Sequence, residues 1–243
     1  MDNKTPENSK ERQMIENLST FAVLLSLNTL TQATTIGPLP YLSSLDSPFA
    51  TTDFDWFYIE DFEEHQLVSP GVNADHGGIA SVLFPGEPVG YDSVDADDGI
   101  IDGSGAGGDS WYSGVGATGV TWTFEESVLG HLPTHAGIVW TDGAWGFTVH
   151  FEAWDAGGNL IADISGVHAD HDNLSATAED RFYGVINPGG IAMIRLSQPN
   201  TMIEMDHLQY GYAAVPAAPG AVTGMMSMVF MFMRRRTRTP KAT

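Results

Sequence analysis

Cysteine is absent from the 243 residues, which excludes disulfide scaffolds, thiol catalysis and Cys-ligated zinc or iron–sulfur centres together. Cations are scarce: 10 Lys and Arg stand against 31 Asp and Glu, for a formal net charge of -21. Phosphate affinity rests on Lys and Arg, so a nucleic-acid partner is excluded. Long apolar runs are lacking too. Residues 18–30 and 221–233 are the two candidates, and each falls short of the roughly 20 residues that carry a helix across a bilayer. No stripe of helical period lies between the apolar segments, which excludes a doubly wound α/β fold.

What the chain does have is asymmetry. Between Thr34 and Tyr212 the only cations are Arg181 and Arg195, against 27 acids, so this stretch carries about -25. The other cations sit at the ends. Lys4, Lys10 and Arg12 precede the apolar run 18–30, and Thr31-Gln32-Ala33 follows it with small residues at the positions a signal peptidase inspects. Residues 1–33 therefore read as an export leader and 34–52 as a linker to a domain over 53–212. At the other end, Pro216 and Pro219 break regular structure. The apolar run 221–233 and then Arg234-Arg235-Arg236 complete a sorting tail over 213–243. The arginines would stay on the cytoplasmic side, with the tail holding the chain at the membrane before processing.

The middle is patterned for strands. In residues 145–154, Trp145, Phe147, Val149, Phe151 and Ala153 alternate with Thr148, His150 and Glu152, the period of a half-buried antiparallel strand. Asp155-Ala156-Gly157-Gly158-Asn159 then turns the chain into a second run from Leu160, predicting a hairpin. Val120, Trp122 and Phe124 alternate likewise, as do Ile203, Met205 and His207 against Glu204, Asp206 and Leu208. Further short runs lie at 57–59, 79–84, 138–140, 182–186 and 191–196. Gly and Pro punctuate them every 8 to 15 residues or so, which predicts an all-β, two-sheet antiparallel sandwich of jelly-roll type, like carbohydrate-binding modules and lectins.

Five blocks carry a family resemblance: residues 57–63 (FYIEDFE), 93–105 (SVDADDGIIDGSG), 136–143 (AGIVWTDG), 177–185 (TAEDRFYGV) and 204–211 (EMDHLQYG). In this order they resemble secreted bacterial proteins with PEP-CTERM sorting tails, common in planctomycetes and in exopolysaccharide-producing environmental bacteria. The resemblance implies export, processing by an exosortase-type enzyme, and a place at the cell surface or in matrix. The group has no assigned biochemical activity. Here the tail has Pro216-Ala217-Ala218-Pro219 in place of Pro-Glu-Pro.

Several clusters point to chemistry. Asp92, Asp95, Asp97, Asp98 and Asp102, with Gly99 and Gly103, suit Ca²⁺ in a tightly curled loop, although the spacing does not fit an EF-hand. A solvated acidic turn is the alternative. Glu60, Asp61 and Asp206 form a second calcium candidate, by analogy with jelly-roll modules that hold a structural Ca²⁺ between first and last strands. No organic cofactor is indicated: Gly103-Ser104-Gly105-Ala106-Gly107-Gly108 matches G-x-G-x-x-G but lacks its strand–helix setting. His168-Ala169-Asp170-His171-Asp172 matches no zinc framework and reads as a polar loop. Trp111, Tyr112 and Trp154 are the aromatic residues best placed to stack on sugars. Catalytic residues are not indicated. Glu125 with Glu126, or Glu152 with Asp155, would be the nominees for a glycosidase pair. The expected function is non-catalytic binding of polysaccharide or a matrix component at the cell surface. The alternatives are a glycan-processing enzyme on the same fold, or a structural surface or biofilm protein that binds other proteins.

Overall fold

The computed structural model describes residues 32–80, 91–103, 105, 107–143, 146–169, 179–199 and 202–213. The leader before Gln32, the tail after Ala213, and with them Pro216, Pro219, Arg234, Arg235 and Arg236, lie outside the described residues, as do Trp145 and Asp170-His171-Asp172.

Twelve strands are described: β1 Thr34–Pro40, β2 Phe54–Glu60, β3 Val72–Ala74, β4 Gly78–Ala80, β5 Ser110–Tyr112, β6 Gly119–Phe124, β7 His135–Gly143, β8 Val149–Trp154, β9 Leu160–Gly166, β10 Arg181–Ile186, β11 Met193–Ser197 and β12 Ile203–Ala213. They form two antiparallel sheets. One holds seven strands in the order β1-β10-β7-β12-β5-β4, with β2 also paired to β12. The other holds five, in the order β3-β6-β11-β8-β9. The principal strands run β2-β12-β7-β10 on one side and β6-β11-β8-β9 on the other, so the chain crosses between sheets in jelly-roll order.

The alternation expected from sequence explains the main core. Val120, Trp122 and Phe124 of β6, Val149, Phe151 and Ala153 of β8, and Ile194 and Leu196 of β11 all point inward. They meet Ala136, Ile138, Trp140, Met205, Leu208 and Tyr210 from the larger sheet. Full burial of side chains of this size contributes roughly 1.5–3 kcal/mol each.

The larger sheet is covered on its other face as well. Residues 34–52 are not a linker: β1 pairs with β10 at the sheet edge, and Tyr41 and Phe49 fold back over the sheet. With Val94 they pack on Val139 and Phe182 to form a second, smaller core. The Phe182 ring lies over a glycine pair, Gly137 and Gly184, that face each other across β7 and β10; a Cβ at Gly137 would come 2.3 Å from that ring. Both faces being covered, all nine residues of β7 are buried. This matters for function, because polar residues on the outer face of β7 and β12 then lie in the interior.

Candidate functional site

The pairing of β12 with β7 decides which side chains meet. Asp206 pairs with Val139 and Gln209 with Gly137, so β12 fits one extra residue into that interval, and His207 takes φ 41°. This is a β-bulge. Strict alternation puts His207 with Met205 and Leu208 with Asp206. The bulge reverses that expectation: Leu208 and Tyr210 enter the main core, while His207 joins Asp206 on the outer face.

There the side chains form a directed chain of hydrogen bonds. Ser47 Oγ donates to Gln209 Oε1 (2.5 Å), and Gln209 Nε2 donates to Tyr41 Oη (2.9 Å). Tyr41 Oη lies 2.9 Å from His207 Nδ1, and His207 Nε2 lies 3.0 Å from Asp97 Oδ2. The Tyr41 hydroxyl can accept from Gln209 and donate to Nδ1 of the tautomer that carries its proton on Nε2, toward Asp97. Asp97 and Asp206 share a hydrogen bond, and burial followed by the Asp97 charge holds the Asp206 carboxyl well above the usual carboxylate range.

The acidic loop is no solvated turn. Its backbone docks on acids of the sheet: the Asp92 N–H donates to Glu204 Oε2 (2.6 Å), Val94 N–H to Asp206 Oδ2 (2.9 Å) and Asp95 N–H to Asp180 Oδ2 (3.2 Å). Asp95 accepts from the N–H groups of Asp102 (3.1 Å) and Gly103 (2.9 Å), which curls the loop around its carboxylate. Asp92 and Asp95 are buried, Asp97 and Asp98 half-buried, and Asp102 exposed. Burial, then Asp142 and Asp92, raise the Glu204 carboxyl well above its ordinary value. Asp180 is pushed up to about 9 by burial and by the charges of Asp92 and Asp95.

Glu60 lies elsewhere. It accepts from Val68 N–H (3.0 Å), Ser69 Oγ (2.7 Å) and Phe62 N–H (3.3 Å), and its close acidic neighbours are Asp61 and Glu64. Asp206 instead groups with Asp97 and His207. Asp142, Asp180 and Glu204 are buried here too, each an acid in or beside a strand whose burial local sequence pattern does not reveal.

The three aromatic candidates separate. Trp111 is 8% exposed, packs on Phe62 and Trp122, and donates from Nε1 to the His76 carbonyl, so it has no ring face for a sugar. Tyr112 is half-buried against Tyr91. Trp154 is half-buried at the end of β8, between Met193 and Leu160 on the outer face of the five-stranded sheet. Near it, Glu152 pairs with Arg195 at 3.4 Å, and Asp155 closes its own turn by accepting from Gly157 and Asn159.

A cavity missed by sequence reasoning opens at the end of the sandwich where β12 finishes and β7 begins. Its volume is about 410 Å³, and its wall includes Asp55, Glu126, His131, Thr134 and Tyr212. The Tyr212 ring stacks on Trp56 (5.7 Å) and meets His131 edge-on (5.7 Å). These residues come from β2, the β6–β7 connection and β12, which no local sequence pattern links.

No family model matches the chain, and no curated protein matches it. Among solved structures it is similar to an arabinose-bound α-L-arabinofuranosidase, with 12% identity and a TM-score of 0.25. The match covers 73% of this chain and 32% of that one. The chain thus spans about a third of that enzyme, and a likeness of this size assigns neither fold nor activity.

Proposed function

We propose that this protein is exported and binds polysaccharide, free or within a matrix, without cleaving it. The observation that carries the reading is the open cavity of about 410 Å³ beside Tyr212. Its volume lies in the range of small-ligand sites, roughly 300–1,000 Å³. An aromatic ring offers the flat apolar surface on which the C–H face of a sugar packs. Asp55, Glu126, His131 and Thr134 around it supply acceptors and donors for sugar hydroxyls. Trp154, part-exposed on the neighbouring sheet face, extends the same chemistry. The apolar run 18–30 preceded by Lys4, Lys10 and Arg12, and the proline–apolar–arginine tail, support export, as does the resemblance to sorted surface proteins.

A second reading is favoured by one feature of the same cavity: Asp55 and Glu126 both line it. Glycosidases work with two carboxyl groups flanking the scissile bond. One experiment separates the two readings. The full-length chain is titrated with soluble polysaccharides by calorimetry, and reducing ends are assayed in parallel. Binding without new reducing ends is expected, with affinity at least about tenfold weaker in Tyr212→Ala, a loss of about 1.4 kcal/mol. Reducing ends that vanish in Asp55→Asn or Glu126→Gln would establish the enzyme. Unchanged affinity in Tyr212→Ala would remove the cavity from consideration.

A further inference from the structure

We propose, resting on the polysaccharide reading, that the Tyr212 cavity takes glycan chains bearing free amines, and that Asp55 and Glu126 are the residues that select them. The two carboxyls reach the cavity from separate elements, Asp55 from β2 and Glu126 from the connection between β6 and β7, and both are exposed. An amine can pair with either one without a charge being taken out of water, the cost that weakens buried ion pairs.

The second observation is the distribution of positive charge. Among the described residues, no Lys or Arg lines the cavity. The two cations between Thr34 and Tyr212 are engaged elsewhere: Arg181 donates to the Asp180 carbonyl (2.7 Å), and Arg195 pairs with Glu152 on the outer face of the five-stranded sheet. His131, when protonated, offers one positive charge against two negative ones. A uronate, sulfate or phosphate group on a sugar would therefore meet net repulsion here, in a chain whose overall charge is -21.

An ammonium group suits the same wall. Carboxylates pair with it, and the face of an aromatic ring attracts a cation as well as the C–H surface of a sugar. Tyr212 supplies that ring, held by its stacking on Trp56 at 5.7 Å. A sugar whose amine is acetylated keeps the ring contact and loses the charge, which sets the discrimination to expect. Each exposed ion pair contributes up to about fivefold in affinity.

The full-length chain is titrated by calorimetry, at a mildly acidic pH that keeps amines protonated, with a glucosamine hexamer, its fully N-acetylated counterpart and a galacturonate hexamer. The glucosamine hexamer is expected to bind at least about fivefold tighter than the N-acetylated one, and the galacturonate hexamer weakest. Asp55→Asn combined with Glu126→Gln should erase most of that preference and leave affinity for the N-acetylated hexamer within about twofold. Glu64→Gln combined with Asp163→Asn removes two exposed charges elsewhere and should preserve the preference. An equal loss in that control pair would mean general attraction to an acidic protein and would overturn the proposal. Equal affinity for the amine and N-acetylated hexamers, both weakened by Tyr212→Ala, would overturn the selection and leave the polysaccharide reading intact. No binding heat from the glucosamine hexamer would sink the proposal by itself, since the titration with soluble polysaccharides decides the wider reading separately.

Discussion

His168 shows how a single side chain can report on this interior. Its Nε2 lies 2.6 Å from the Tyr183 hydroxyl, and its ring meets Trp140 edge-on. Burial, and secondarily the Arg181 charge, lower its pKa to about 4 from the ordinary 6.5. Between those values the unfolded chain binds a proton that the folded chain does not, so stability falls as pH drops through that window. Asp206 works in the opposite sense, since its raised pKa lets the folded state hold the extra proton. The contribution of His168 is therefore a difference between proteins. Urea unfolding at about pH 7 and about pH 4.5 should show His168→Gln losing less stability on acidification than wild type. Equal losses would mean that this imidazole is protonated in the fold.

At the scale of elements, the acidic loop depends on glycines for its closure over the sheet. Ser93 N–H and Oγ both donate to the Gly105 carbonyl, at 3.3 and 2.6 Å. A Cβ on Gly105 would stand 1.9 Å from the Ser93 carbonyl oxygen and 2.9 Å from Asp92 Oδ1. Backbone cannot move aside as a flexible side chain can. Gly105→Ala is therefore expected to cost about 1–3 kcal/mol, in the range of overpacked interiors, and thermal unfolding in EDTA measures it. A melt equal to wild type would show that the loop closes without this contact. The glycine-rich stretch thus earns a physical reading. At Gly105 it allows close backbone approach in an acidic loop.

For the whole molecule the governing quantity is charge. At -21 overall, with Arg181 and Arg195 the only cations between Thr34 and Tyr212, the folded chain concentrates like charge that the unfolded chain spreads out. Screening lengths shrink from about 30 Å at 0.01 M salt to about 8 Å at 0.15 M. Metal-free protein should consequently melt at a higher temperature in about 0.15 M NaCl than in about 0.01 M. A flat or falling melting temperature would mean that the buried acids are neutralised by protons to the point where repulsion no longer matters.

The sequence by itself determined the β class, the two-sheet sandwich and most of the strands, because period-two alternation and Gly/Pro turns are local signals that survive without knowledge of neighbours. Val120-Trp122-Phe124 and Val149-Phe151-Ala153 face the core as their spacing implies. Only the tertiary structure decided what the acids do. Residues 34–52 pack on the outer face of the larger sheet, and that second cover turns Glu204, Asp206 and Asp142 from surface groups into interior ones. A one-residue bulge then moves His207 to the side of Asp206, an exchange that composition and periodicity do not record. The Tyr212 cavity is assembled from segments spread between Asp55 and Tyr212, and so belongs to the fold alone.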